Sequence, residues 1–410
     1  MPDITESVTI DATTQPGYAG TPRVELSGTS AGVNASGLHL LAPGCVIRGL
    51  AINRFAGYGV SIDSYTSNTV QGCFLGTGVY GTNALGNNFG GVLINSADNL
   101  IGGTSTNNRN LISGGNGIGV YIVSKNARGN LIQGNFIGTD VTGSNRLGNS
   151  TGIFLSSAPS NTLGGEFTGA GNIVSGNTLG GIVLSNASGV VMAGNIVGLN
   201  RTGSVAISNA QDGITIISSA NVIIGGTNIQ ARNTISGNGG RGVLIYGNSA
   251  VTTNNLVIGN FIGTSISGLQ ARGNGTNGVE LLGVSKNWIG FPQADSGNLI
   301  SGNAFNGIAL SGSNASLNGI HGNFIGTDGT GSNALANTTH GIIVFDAPGN
   351  TMESNTVSGN SQNGIYITGS GAKGNTVLKN FVGTDFTGYR RVGNGLSGVR
   401  IEAASNTVGG

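Results

Sequence analysis

The heptapeptide GNFIGTD at residues 134–140 returns unchanged at 322–328, and looser copies stand at 72–78, 194–200, 259–265 and 379–385. The equivalent positions Cys73, Asn135, Asn195, Asn260, Asn323 and Asn380 are spaced by 57 to 65 residues. A period of this kind constrains the fold more than any other feature here. Each copy is a small unit that can bury its apolar face only against the next one, so length counts repeats and not domains.

A finer unit lies inside the period. Segments of the form G-[IV]-x-[ILV] begin near Val60, Val92, Val120, Ile153, Ile182, Ile214, Val243, Val279, Ile308, Ile342, Ile365 and Val399. Each is followed by an N-x-[IVLM] segment and then by a third short apolar run such as NLIS at 110 or 298. Three short strands bounded by Gly and Asn, with apolar residues alternating along them, describe one turn of a β-solenoid. Residues 38–59 and 342–364 show the bare coil. Longer coils alternate between an insertion after the third strand, of the type TD-x-TG, and one after the second strand, such as TSTNNR at 104–109. The period near 62 residues is therefore two coils.

The repeats N-x-I-x-x-N and G-I-x-L, over about residues 38–410, resemble those of the right-handed parallel β-helix family with the pectin-lyase-like architecture. The resemblance implies an all-β chain, a single right-handed parallel β-helix of about 13 three-stranded coils. Residues 1–37 are read as irregular first coils and 38–410 as one continuous repeat domain. For function it implies little, because the family holds polysaccharide lyases, hydrolases, epimerases and noncatalytic surface proteins.

Charged residues make up 8% of the chain against roughly 25% in ordinary soluble proteins, while hydrophobic residues remain at 37%. That combination argues against disorder. A net charge of +1, with no basic run longer than Arg390–Arg391, points away from nucleic acid and anionic membranes. No apolar stretch is long enough for membrane insertion, and the first residues do not read as an export signal. Cys45 and Cys73 have no metal-ligand spacing and read as two buried free thiols. No metal or cofactor is implied.

The aspartate that ends the heptapeptide reads as a corner. In Asp140–Gly143 the carboxylate can accept from backbone N–H groups two or three residues on, and the equivalents Asn200 and Ser265 can do the same but are poor cation ligands. Asn68, Asn99, Asn130, Asn161, Asn221, Asn287, Asn318 and Asn350 fall at one corner of successive coils, where they can stack as an amide ladder.

Candidate chemistry sits on the outer faces, where the family's enzymes work. The outward column of the second strand brings His321 and Glu353 to adjacent coils, with Lys379 one coil further. A histidine, a carboxylate and an amine could serve as an acid/base set on a uronic acid, or could form a surface ion pair. Tyr389, Arg390 and Arg391 read as a solvated loop. On the first strand the outward positions include Tyr121, Phe154, Leu244, Tyr246, Phe345 and Tyr366, an apolar stripe suited to self-association, to a neighbouring domain or to sugar rings. The absence of a dense polar cluster, together with this stripe, favours a noncatalytic module: a rigid spacer, adhesion or polysaccharide-contacting domain. The setting expected from the resemblance is a bacterial cell surface or the extracellular space, with the chain a segment cut from a longer protein. The alternatives are a polysaccharide lyase, hydrolase or epimerase using His321, Glu353 and Lys379, and a self-assembling structural protein.

Overall fold

A computed structural model describes residues 3–63 and 65–409. It divides into two compact units, Met1–Arg201 with Ile207–Ala210, and Thr202–Ala206 with Gln211–Gly410. Each unit is a parallel β-helix. Among the described residues there are 40 strands, 13 or 14 of each of the three types, and no α-helix. None of these elements could cross a membrane as an apolar helix.

The coil follows from period-2 alternation. In Ile153–Ser156 of unit 1, Ile153 and Leu155 are buried while Phe154 and Ser156 face outward. The next coil places Ile182 on Ile153 and Leu184 on Leu155. In unit 2, Val279 and Leu281 meet Ile308 and Leu310 in the same way. Like stacks on like, and each fully buried Ile, Val or Leu contributes about 1.5–3 kcal/mol. Residues Thr9–Asp11 and Val24–Ser27 already pair in register with Val46–Arg48 and Leu50–Asn53.

Corners are held by asparagines in three columns. In unit 1 the first runs Asn68, Asn99, Asn130 and Asn161, each amide donating to the next side-chain oxygen at 2.9–3.1 Å. In unit 2 it runs from Asn255 through Asn287, Asn318, Asn350 and Asn375 to Asn406. Asn221 is a correction. It is exposed with φ +55°, and Val222 occupies the ladder position, donating its backbone N–H to Asn255 at 3.0 Å. The second column contains the asparagine of the heptapeptide: Asn110, Asn135, Asn172 and Asn195 in unit 1, and Asn233, Asn260, Asn298, Asn323 and Asn355 in unit 2. A third joins Asn149, Asn177 and Asn209, and in unit 2 Asn274, Asn303, Asn337 and Asn360.

The heptapeptide's glycines are needed for close approach. At Gly138, φ is +88° and a Cβ would stand 2.4 Å from the Ser175 carbonyl of the next coil. Its aspartate is a corner. Asp140 Oδ1 accepts from Thr142 Oγ1 at 2.7 Å and from the backbone N–H groups of Ser144 and Asn145, while Oδ2 accepts from Asn145 Nδ2 at 2.8 Å. Asp328 repeats the arrangement, and Asp385 keeps the bonds from Thr387 and from the backbone N–H groups of Tyr389 and Arg390. Burial raises the Asp140 carboxyl, but the bonds from Asn145 and Thr142 outweigh it and hold the group below the usual carboxylate range.

The insertions after the third strand lie across the outer face of the third-strand sheet. There they cover Phe74, Leu111, Phe136 and Ile173 with Val79 and Val141. Main-chain bonds link consecutive insertions, Val141 N–H to Gly81 O at 3.0 Å and Gly329 N–H to Gly268 O at 2.9 Å. Cys45 and Cys73 are buried and unpaired, and burial pushes the Cys73 thiol up to about 11.

Candidate functional site

Insertions after the second strand shape the site in unit 2. Residues 226–232 and 290–297 form two such loops, whereas in the coils Gly319–Ile325, Thr351–Val357 and Thr376–Val382 the chain passes straight from second to third strand. Strict alternation would have placed a third loop after Glu353. The two loops and the coils beside them line a groove of about 630 Å³. The walls include Arg232, Phe261, Gln293, Asp295, His321 and Phe324.

Parallel pairing sets His321 opposite Glu353, and Glu353 opposite Leu378. Lys379 turns back, with φ +51°, and its Nζ lies 2.9 Å from Glu353 Oε1. The hydrogen bond and charge of Lys379 hold the Glu353 carboxyl below the usual range, and His321 adds to the effect. His321 lines the groove, and its Nδ1 is shut off from solvent without a hydrogen-bond partner. The structure therefore joins Glu353 to Lys379 and sets His321 beside them, while the imidazole belongs to the groove wall.

Arg232 packs along one wall of the groove. Its guanidinium lies 4.0 Å over the Phe261 ring and its Nε donates to Gly259 O at 3.3 Å. Arg109 repeats this in unit 1, 4.2 Å over Phe136 with Nε donating to Gly134 O. Two copies of one clamp indicate a role in pinning the loop. Burial lowers both arginines' affinity for the proton.

The outward residues of the first strand form columns, but not a uniformly exposed stripe. Tyr121 and Phe154 stack at 5.4 Å with planes 14° apart, so their facing surfaces are spent on each other. Tyr366 is flanked by His340 at 5.0 Å and Arg400 at 5.2 Å, and its hydroxyl donates to Glu402. Tyr246 is half-buried and Phe345 is exposed at 49%. Leu244, read as outward and exposed, is buried at 7%; it pairs in register with Glu280, whose partner Arg241 belongs to the coil of Leu244.

The chain matches no protein-family model, and no curated protein matches it. Solved structures do. It is similar to the Dettilon tailspike protein gp208 with a TM-score of 0.51 and 17% identity, over 96% of this chain and 68% of that one. This likeness is one of fold, the parallel β-helix. Other similar structures are the A-module of the Azotobacter vinelandii mannuronan C-5 epimerase AlgE4, at TM-score 0.43, 15% identity and 93% of each chain, and the catalytic domain of a GH87 α-1,3-glucanase, at 0.39, 12%, 91% and 63%.

Sequence reasoning missed a second polar cluster on unit 2. Glu280 occupies an outward first-strand position and is 8% exposed. Arg241 Nε donates to its Oε2 at 2.6 Å, Asn277 Nδ2 donates to the same oxygen at 2.9 Å, and Asp212 lies 3.6 Å from the Arg241 guanidinium. The signal was present as a lone charge within VELL, but Arg241 stands 39 residues away and only the register brings it near. Glu280 Oε2 is shared by Arg241 and Asn277, and Asp212 meets Arg241 from another coil, so the cluster ties coils together. Among the described residues no group of three His, Cys, Asp or Glu could hold a metal ion.

Proposed function

We propose that this chain is a noncatalytic, polysaccharide-contacting β-helix module of the bacterial cell surface or extracellular space, holding a glycan segment in the groove of unit 2. The groove carries this reading. The half-buried Phe324 ring on its wall suits the apolar C–H face of a sugar ring, and Thr227 and Gln293 supply a hydroxyl and an amide beside it. The neighbouring charges exclude Glu353 as the proton donor of a catalytic pair. A general acid must hold a proton near neutral pH, and Glu353 is kept ionised by Lys379.

The test incubates the full chain with acidic and neutral polysaccharides, recording co-sedimentation, new reducing ends and unsaturated-uronate absorbance together. Binding without products is expected, and Gln293→Trp, at an exposed position on the rim, should weaken it at least tenfold. Undiminished binding by that variant refutes the groove. Product formation refutes the noncatalytic reading in favour of the enzyme, the second reading, which rests on His321 in the groove wall with Glu353 and Lys379 beside it. In that event Glu353→Gln should abolish turnover while the fold is retained.

A further inference from the structure

Unit 1 holds a separate pocket of about 390 Å³ on the outer face of its first-strand sheet, walled by Asp3, Asn34, His39, Tyr58, Ser61 and Phe89. Parallel register puts His39 beside Ser61, and Ser61 beside Leu93, so side chains from three successive coils converge there. Tyr58 and Phe89 meet edge to face at 5.8 Å and form an aromatic wall, with Phe89 exposed at 48%.

The polar side is organised from behind. Asp63 does not line the pocket, yet its Oδ2 makes two contacts, and both are with residues that do. His39 Nε2 lies 3.0 Å from it, and Ser61 Oγ donates to it at 2.7 Å. The other imidazole nitrogen, Nδ1, lies 2.8 Å from Asp3 Oδ1. One supporting carboxylate thus fixes the ring orientation of His39 and the rotamer of Ser61, the arrangement expected of a preorganised site.

The hydrogen-bonding balance of the wall defines the ligand. Ser61 spends its proton on Asp63 and is only 5% exposed, so it shapes the wall and offers no proton to a ligand. Asp3 retains a second carboxylate oxygen, and the wall contains no Lys or Arg. Two carboxylates against one imidazole give net negative character, which repels carboxylates and phosphates, while Asp3 with the Asn34 and Tyr58 groups offers both acceptors and donors to a hydroxyl-rich ligand. The aromatic wall requires an apolar face on that ligand, and the volume lies at the small end of the range for ligand pockets, about 300–1,000 Å³.

We propose that this pocket binds a single sugar residue that is uncharged or carries a free amine, with Phe89 against the ring face and Asp3 accepting from its hydroxyl or amino groups. The site is independent of the unit 2 groove and uses none of its residues.

Saturation-transfer NMR on the full chain tests this with methyl glycosides of glucose, galactose, mannose, glucosamine and glucuronic acid at equal concentration. At least one neutral or amino glycoside should receive saturation, and the glucuronide none. Phe89→Ala and Asp3→Asn, both at exposed positions, should each reduce the signal at least fivefold with an unchanged urea midpoint. The assignment is overturned if no neutral or amino glycoside responds, if the glucuronide responds equally, or if both variants keep the wild-type signal. A signal that survives in both variants and disappears in Gln293→Trp would place the sugar in the groove, overturning this pocket while sparing the groove reading.

Discussion

Asn323 is the position at which the ladder account can be tested most sharply. Its Oδ1 accepts from the backbone N–H of Asn298 at 3.0 Å and from Asn298 Nδ2 at 2.8 Å. Its Nδ2 donates to Ile289 O at 2.8 Å, to Asn355 Oδ1 at 2.9 Å and to His321 O at 3.2 Å. The side chain is fully buried. Asn323→Ala leaves two buried Asn298 protons without an acceptor, since the other proton of that amide already goes to Val257 O. At about 1–3 kcal/mol per orphaned group, the loss is about 2–6 kcal/mol. Asn323→Asp is nearly isosteric and restores the acceptor, but it turns a carboxylate oxygen toward the Ile289 and Asn355 oxygens that the amide had satisfied. The aspartate variant should therefore be the less stable of the two at neutral pH, and should recover on acidification as the carboxyl becomes a donor. Urea unfolding followed by fluorescence provides the assay, because Trp288 is the chain's single tryptophan and its strand pairs with the strand that contains His321. An alanine variant within about 0.5 kcal/mol of wild type, the range of ordinary surface substitutions, would refute the ladder's energetic role. An aspartate variant as stable as the alanine at neutral pH would refute the electrostatic part of the reasoning.

Stability should fall on acidification in two steps. Burial, with help from Arg400, lowers the affinity of His340 for a proton, so the unfolded chain protonates first and stability is lost as pH drops from the ordinary histidine value of about 6.5 through the lowered folded value. Asp140 and Asp328 sit below their ordinary value because bonds from asparagine and threonine outweigh burial, and their contribution is present above about pH 4 and lost as pH falls through the folded value. His340→Asn, which matches Asn306 and Asn363 at equivalent positions, should remove the first step from a plot of urea midpoint against pH and leave the second. Lys379→Met should move the Glu353 carboxyl upward in an NMR titration, and no movement would show that the ion pair does not set its charge. If the first-strand face joins copies of this chain, Tyr246→Lys with Phe345→Lys should yield monomers in sedimentation, and unchanged association would exclude that face.

What could be read from the sequence was whatever period-2 alternation states without ambiguity. In Asn130–Leu131–Ile132 the only buried apolar side chain is Ile132, so the asparagine two residues before it is recognisable as the corner. Val222–Ile223–Ile224 is apolar throughout, and the alternation that should choose the inward residue is silent. Burial of Ile224 puts Val222 at the corner, one place after Asn221, and Asn255 becomes the first asparagine of that column in unit 2. The Asp140 turn was legible because its partners are at most five residues away. Glu280 with Arg241, Asp63 behind His39, and the two sides of the unit 2 groove were not, because each depends on which coil lies against which. The short coil at 342–364 was visible as a missing insertion, but its consequence needed three dimensions. A loop left out after Glu353 ends the wall made by 290–297, and the same omission exposes the coils that carry His321, Glu353 and Lys379. In a solenoid the strands supply a uniform surface, so specificity arises where the pattern of insertions breaks.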